Sequence, residues 1–157
     1  MGKLTHIDDE GNARMVDVGG KATSRREALA EGWIQLSPDA YLAVIEGEVA
    51  KGDVLSVAQI AGIQAAKKTS DLIPLCHPLA LSGIQVHLTP VEDHRIRVEA
   101  RVRCEGKTGV EMEALTAVSG SLLCVYDMLK AIDKGLVMGP IQLCSKSGGA
   151  SGDWVRT

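Results

Sequence analysis

Two charged residues near the end of the longest helical pattern have the types and spacing for proton transfer. Asp127 and Lys130 are three positions apart, so on a helix they lie on one face. A carboxylate beside an ammonium group is typical of general acid–base catalysis. Helical periodicity also places Glu113 on this side, away from the apolar stripe. An ordinary solvated helix face would explain the same three charges.

Several lysines stand at the ends of predicted elements and could converge on phosphate groups. They are Lys51, Lys67, Lys68, Lys130 and Lys146. The formal net charge of the chain is -3, so phosphate binding would need such a local cluster, because no overall positive field attracts anions. The sequence contains neither a Walker loop nor a G-x-G-x-x-G motif, which argues against the common nucleotide-binding classes.

Two further segments contain candidate binding residues. Glu111 and Glu113 open the long helical pattern, where they can complement the helix dipole or accept N–H donors from a guanine-like base. His77 lies in a segment where Pro74 and Pro78 prevent a helix. The stiff backbone there could present His77 to a ligand, although a purely structural histidine is the more common case.

The elements that must position these residues follow from capping and periodicity. Helical patterns cover residues 38–47, 54–68 and 110–133, and strand patterns cover 15–18, 32–36, 84–88, 95–103 and 137–144. Their order predicts an α+β, ferredoxin-like β-α-β-β-α-β fold with an additional helix in the first crossover. Helices would cover one face of the sheet and leave the other free, which invites oligomerisation.

The long helical pattern has an apolar stripe that should pack on the sheet. The stripe consists of Leu115, Val118, Leu122, Val125 and Leu129. On the other side, Ala117, Gly120 and Cys124 are all small. A glycine inside a helix costs about 1 kcal/mol relative to alanine, so Gly120 suggests the close approach of another backbone or a ligand.

Length and composition describe one ordinary globular domain spanning residues 1–157. Hydrophobic residues make up 45% and charged residues 24% of the chain, as in most water-soluble folds. Residues 1–14 and the Gly/Ser-rich segment 147–157 are expected to be flexible. No apolar run is long enough for a membrane span, and the first residues do not resemble a secretion signal. We therefore expect a cytoplasmic protein that does not act at a membrane.

Aromatic residues and cysteines exclude other classes. Only 3% of the residues are aromatic, which leaves few stacking platforms for nucleic-acid bases, so no nucleic-acid partner is expected. The four cysteines contain no C-x-x-C pair. Reduced thiols are therefore expected, with no metal site and no disulfide framework.

Several strings resemble the cyclic pyranopterin monophosphate synthase family of molybdenum cofactor biosynthesis. The most specific are DLIPLCHP at residues 71–78 and TGVEMEALTA at residues 108–117. Shorter strings such as KGD at 51–53, YDMLKA at 126–131 and KSGG at 146–149 agree with them. The resemblance covers essentially the whole chain.

The resemblance implies a lyase that converts 3′,8-cyclo-7,8-dihydroguanosine 5′-triphosphate, a substrate derived from GTP, to cyclic pyranopterin monophosphate and diphosphate. It implies a ferredoxin-like homohexamer, built as a trimer of dimers with active sites at the dimer interface. It implies no resident cofactor, although Mg²⁺ could accompany the substrate triphosphate.

Site residues follow from the same resemblance. The resemblance implies Asp127 and Lys130 as catalytic residues, relates Lys51 and the Lys146 loop to activity, and implies substrate-binding segments at Leu75, Cys76, His77, Met112 and Glu113. We count Lys51 with the catalytic residues. Charge and position add Glu111, Lys67 and Lys146 as substrate-binding candidates. Ala150 departs from the pattern, since a basic residue is expected there in many members of the family. Two other hypotheses remain open: a nucleotide sensor without turnover, and an RNA-binding ferredoxin-like domain, which acidity and missing strand aromatics disfavour.

Overall fold

The computed structural model describes residues 6–157, and the part of the expected flexible segment that precedes residue 6 lies outside it. The strands are β1 (Ser24–Gln35), β2 (Leu81–Val91), β3 (Arg95–Gly106), β4 (Val137–Ser147) and β5 (Trp154–Val155). The helices are α1 (Pro38–Glu46), α2 (Val54–Ala66), the short α3 (Thr69–Leu72) and α4 (Glu111–Leu129).

The sheet has the strand order of a ferredoxin-like fold. Its order is β2-β3-β1-β4-β5, and each neighbouring pair is antiparallel. The helices lie in the two crossovers, with α1 and α2 in the first and α4 in the second. The predicted fold class, including the additional helix of the first crossover, is confirmed.

Local sequence chemistry explains where the crossover helices begin. The Ser37 side chain accepts a hydrogen bond from the backbone N–H of Ala40 at the start of α1. The Asp53 side chain does the same for Ser56 at the start of α2. Each cap satisfies a backbone donor that the helix itself leaves unpaired, so both predicted helix starts are confirmed.

Two terminal segments differ from the sequence expectation. The strand expected at Met15–Val18 is wrong, because these residues pair with no strand within residues 6–157, and the carbonyl of Val16 bonds instead to the side chain of His77. In the C-terminal tail, β5 pairs with β4 through Ser145 and Lys146, an element that the Gly/Ser-rich composition did not predict. Flexibility of residues 147–157 stays a prediction.

The core lies between the sheet and α4. Strand alternation buries one row of β1 and β3 side chains, and the predicted stripe of α4 meets them, with Val118, Leu122, Val125 and Leu129 fully buried. Gly32 of β1 leaves room for this contact, since a Cβ there would lie 2.7 Å from Val118. By length and composition alone, α4 is apolar and long enough to cross a membrane. In this fold, 56% of its apolar stretch is buried inside the protein.

The small side of α4 packs against α2 of the same chain. A Cβ on Gly120 would lie 2.5 Å from the Cβ of Ala65, and a Cβ on Gly62 would meet the Ser121 hydroxyl. That hydroxyl donates a hydrogen bond to the carbonyl of Ala58 at 2.9 Å. The close approach suggested by Gly120 is therefore found, and its partner is α2.

The face of the sheet away from the helices is charged. Glu27 of β1 accepts hydrogen bonds from Arg101 and Arg103 of β3. Glu31 pairs with Arg97, whose Nη2 lies 2.6 Å from the carboxylate. These side chains are partly exposed, so each pair contributes little to stability by itself. The alternation of β3 thus separates an aliphatic face from an ion-paired one.

The α2–α4 contact generates a stability prediction. Gly120→Ala should destabilise the fold. Overpacking at a rigid backbone contact costs about 1–3 kcal/mol, whereas replacing a helical glycine by alanine gains only about 1 kcal/mol of helix propensity. Urea unfolding measures the change. Leu123→Ala, on the exposed side of α4, is the control and should change stability by about 0.5 kcal/mol or less. A Gly120→Ala protein as stable as the parent would contradict the prediction.

Candidate active site

The N-terminal end of α4 places a carboxyl group inside the protein. Glu113 is only 4% exposed. Burial raises the pKa of its carboxyl; a hydrogen bond from its own backbone N–H opposes the rise, and the charge of Glu111 adds to it. The sequence leaves open an ordinary solvated face for the charges of α4, and the burial of Glu113 excludes that alternative for this residue.

A cavity of about 420 Å³ opens beside this carboxyl group. Its walls come from the N-terminal segment, from the loop before β2 and from the start of α4. They include Val16, Val18, Leu75, Cys76, His77, Glu111, Met112 and Glu113. The structure therefore brings together six of the predicted substrate-binding residues. The cavity walls combine apolar surface with a few carboxyl and imidazole groups, as small-molecule sites do.

A second cavity, of about 760 Å³, adjoins the first. Both are lined by Lys21, Thr108, Gly109 and Glu111, so they form one groove. The second cavity adds Arg26, Lys107 and Lys146. Four cationic side chains therefore face the groove, while Glu111 neutralises part of that charge through a 3.2 Å ion pair with Lys146. Such a surface suits an anionic ligand.

Lys21, Lys107 and Arg26 are groove cations that the sequence analysis missed, and the buried one among them is Arg26. It is 8% exposed, and it donates hydrogen bonds to the carbonyls of Gly106 (3.3 Å) and Gly148 (3.2 Å). Within residues 6–157, no carboxylate lies within ion-pair distance of it. A buried cation is costly without a countercharge. Extending the strand alternation of residues 32–36 back to residue 26 would have placed this charge on the core face.

The loop after β4 depends on glycine at this point. Gly149 has a φ of +85°, and a Cβ there would collide with the Arg26 guanidinium. Ser151 of this loop accepts a hydrogen bond of 2.9 Å from the Nζ of Lys146, near the end of β4. Ala150 lines the cavity beside them. The absence of the basic residue expected at position 150 therefore affects the groove directly.

The C-terminal end of α4 carries a second charged cluster. The Asp127 carboxylate lies 2.9 Å from Lys51 Nζ and 2.7 Å from Lys130 Nζ. Hydrogen bonds from Lys130 and Lys51 lower the pKa of Asp127 to about 2, and the carboxylate in turn raises the pKa of Lys130. All three predicted catalytic residues thus meet, with their side chains about half exposed.

The two groups of residues lie at opposite ends of α4. Glu113 and Asp127 are 14 positions apart, which is about 21 Å along a straight helix. One chain therefore does not bring the predicted catalytic cluster to the groove. Lys67, at the end of α2, is exposed and lines neither of the two cavities.

The thiol of the groove is not activated in this state. Burial raises the pKa of Cys76, and the charge of Glu113 adds to the rise, so a thiolate is disfavoured at neutral pH. Across residues 6–157, no group of three His, Cys, Asp or Glu side chains is arranged to hold a metal ion. The polar chemistry of the groove comes from its carboxyl and cationic side chains.

Fold and groove together define a ferredoxin-like α+β domain with a cationic small-molecule site. Residues 15–149 match the MoaC family, and the chain belongs to that family. A protein of Heliobacterium modesticaldum is 55% identical over 99% of both chains, and one of Pelotomaculum thermopropionicum is 54% identical over 99% of this chain and 92% of its own. One of Chloroflexus aurantiacus is 54% identical over 98% of this chain and 95% of its own. All three relatives bear the name cyclic pyranopterin monophosphate synthase.

The buried carboxyl group generates a pH-dependent prediction. The pKa of Glu113 is higher in the folded than in the unfolded protein, so folding binds a proton between the two values and stability falls as pH rises through that window. Glu113→Gln should remove this loss and raise the urea midpoint on the high-pH side of that window. Glu105→Gln, on an exposed site of β3, should leave the pH profile unchanged. An identical pH dependence in the parent and Glu113→Gln would refute the assignment.

Proposed function

We propose that the chain is a cyclic pyranopterin monophosphate synthase of molybdenum cofactor biosynthesis. It would convert 3′,8-cyclo-7,8-dihydroguanosine 5′-triphosphate to cyclic pyranopterin monophosphate and diphosphate, as a lyase. The observation that carries this proposal is the match, over nearly the whole chain, to relatives of that name. The direct test is incubation of the purified protein with this substrate and measurement of diphosphate release. Binding without release would favour a nucleotide sensor.

The groove supports a division of labour for this substrate. The triphosphate would lie along Arg26, Lys21, Lys107 and Lys146 in the larger cavity. The guanine-derived ring would enter the smaller cavity, where the Glu113 carboxylate can accept from its N–H donors. Arg26 suits the phosphate end, because it is a buried cation held by carbonyls and free to pair with a phosphate oxygen. Cations here would stabilise the negative charge that develops as diphosphate leaves.

The cluster around Asp127 would supply the proton transfers. Closing the cyclic phosphate joins a substrate hydroxyl oxygen to the α-phosphorus, releases diphosphate and removes the hydroxyl proton. Asp127 is ionised at neutral pH, and the side-chain nitrogens of Lys51 and Lys130 lie within 3 Å of its carboxylate. A carboxylate with two ammonium groups can accept a proton at one atom and donate one at another.

A shared site between subunits would join the two ends of α4. We propose a homohexamer, a trimer of dimers, in which Glu113 of one subunit and Asp127 of the partner subunit face the same substrate. The separation of about 21 Å within one helix and the exposure of the Asp127 cluster support this arrangement. Exposed apolar side chains on the helices, including Leu42, Ile45 and Ile60, are consistent with assembly.

The remaining parts of the proposal concern cofactors and location. The reaction as written transfers no electrons, so we propose that it needs no resident redox cofactor. Mg²⁺ would arrive with the substrate triphosphate. The proposed site of action is the cytoplasm, with the small-molecule substrate and further copies of the chain as partners, and with no nucleic acid or membrane involved.

Removing one member of the charged cluster should slow turnover strongly. Asp127→Asn or Lys130→Ala is expected to lower kcat by at least roughly 10²-fold, the lower end for loss of a general acid or base. Diphosphate release under saturating substrate measures this. Lys134→Ala, a nearby exposed lysine, is the matched control and should keep parental activity. Near-normal kcat in both cluster variants would exclude the acid–base role.

Subunit sharing predicts complementation. Glu113→Gln and Asp127→Asn chains, each inactive, are unfolded, mixed in equal amounts and refolded together. Half of the resulting dimers are mixed, and each mixed dimer has one unaltered site out of two, so roughly a quarter of the parental activity should return. Each variant refolded alone is the control. Confirmed mixed dimers without activity would mean that the site is built within one chain.

A further inference from the structure

The N-terminal segment forms a strap across the groove. We define the strap as residues 6–20. Its first part is a small hairpin with a bridge between Ile7 and Ala13, where the Asp8 carboxylate accepts hydrogen bonds from the backbone N–H groups of Glu10 (3.0 Å) and Asn12 (2.8 Å). The strap then runs on to Gly20 without joining the sheet. It is therefore a separate, internally bonded piece of chain.

Few interactions hold the strap to the rest of the molecule. Among the residues that the structure describes, its backbone–backbone hydrogen bonds are all local ones, reaching no further than Lys21. Two side chains of the main fold bond to strap carbonyls: His77 Nε2 lies 2.7 Å from Val16 O, and Lys107 Nζ lies 2.6 Å from Gly19 O. Among residues 6–157, opening the strap therefore breaks two tertiary hydrogen bonds and exposes two half-buried valines.

The attachment points are also walls of the groove. Val16, Val18 and His77 line the smaller cavity, and Lys107 lines the larger one. Burial alternates along the strap, with Val16 and Val18 half-buried and Met15 and Asp17 exposed. The apolar side of the strap thus closes the pocket beside Glu113, and removing the strap would open that pocket to solvent.

The hydrogen bond also fixes the chemistry of His77. A carbonyl oxygen can only accept, so the hydrogen between His77 and Val16 must be carried by Nε2. That nitrogen cannot act as a base while the strap is closed. While the strap is closed, the Nε2 atom of His77 therefore cannot both hold the strap and accept a proton from a substrate.

We propose that His77 is a positioning residue that latches the N-terminal strap over the substrate pocket, with Lys107 as a second latch. The inference rests on the proposed function for the identity of the substrate, but the latch itself does not. Substrate enters when the strap opens, and closure puts Val16 and Val18 against it and excludes water from the pocket. His77 therefore acts through the strap, and its Nε2 donor is the required group.

Limited trypsin digestion tests the latch without any substrate. The bond after Arg14 lies in the strap, and a protease can cut it only when the strap is open. His77→Ala should speed this cut about two- to tenfold, the effect of losing one hydrogen bond. His77→Gln should restore the parental rate, because its side-chain amide places an N–H donor near the position of Nε2. His87→Ala, an exposed histidine of β2, should cut at the parental rate.

Kinetics with the cyclised GTP substrate then separate positioning from proton transfer. His77→Ala should raise KM with a smaller effect on kcat, and His77→Gln should recover both. A Gln variant that holds the strap closed but loses kcat as severely as Ala would overturn the proposal in favour of proton transfer by His77.

A His77→Ala strap that is cut at the parental rate would overturn the latch. If that variant does not fold, Lys107→Met provides the same digestion test at the second latch, and an unchanged rate after Arg14 there overturns the proposal equally. A parental protein that releases no diphosphate would refute the proposed function, while the digestion result would still decide the latch.

Discussion

The contact between α2 and α4 determines which candidate site residues from the first crossover meet each end of α4. Gly62 and Gly120 let the two helices approach closely. Two contacts show that the helices run in opposite directions: Ala58 faces Ser121, and Lys51, before α2, reaches Asp127. This orientation carries the chain before α2 to one end of α4. It carries the loop after α2, with Leu75 to His77, to the other end. A looser contact would misalign both ends together.

The groove at the N-terminal end of α4 contains charges that a purely stable fold would avoid. Glu113 and Arg26 are buried without an oppositely charged partner in the described chain, and burial of an ionisable group opposes folding. Proteins accept such conflicts where function requires them. The aliphatic core above the sheet, which contains few polar groups, supplies the stability that tolerates these two groups. The groove is thus the locally strained part of an otherwise consistent fold.

The sequence was informative where a local rule decides the structure. The caps at Ser37 and Asp53, the alternation of β3 and the stripe of α4 all follow from neighbouring residues, and they were sufficient for the fold class. The burial of Glu113 was not predictable in this way, because it depends on loops distant in the chain, whereas that of Arg26 continues the alternation of β1. The strap was mispredicted as a strand because of a similarly distant contact. Its alternation resembles that of a strand, but the group that bonds to its backbone is the side chain of His77.

The ion-paired face of the sheet bears on how the chain finds its pairing during synthesis. Along β3, aliphatic residues such as Val98 and Val102 alternate with Arg97 and Arg101. A slip of one residue between β1 and β3 would turn the arginines into the core and the aliphatic side chains to water. Misregistered intermediates are thus penalised from the first pairing. The arginines on the ion-paired face of the sheet therefore favour the correct strand register during folding. This effect is independent of the small contribution of each ion pair to the stability of the folded protein.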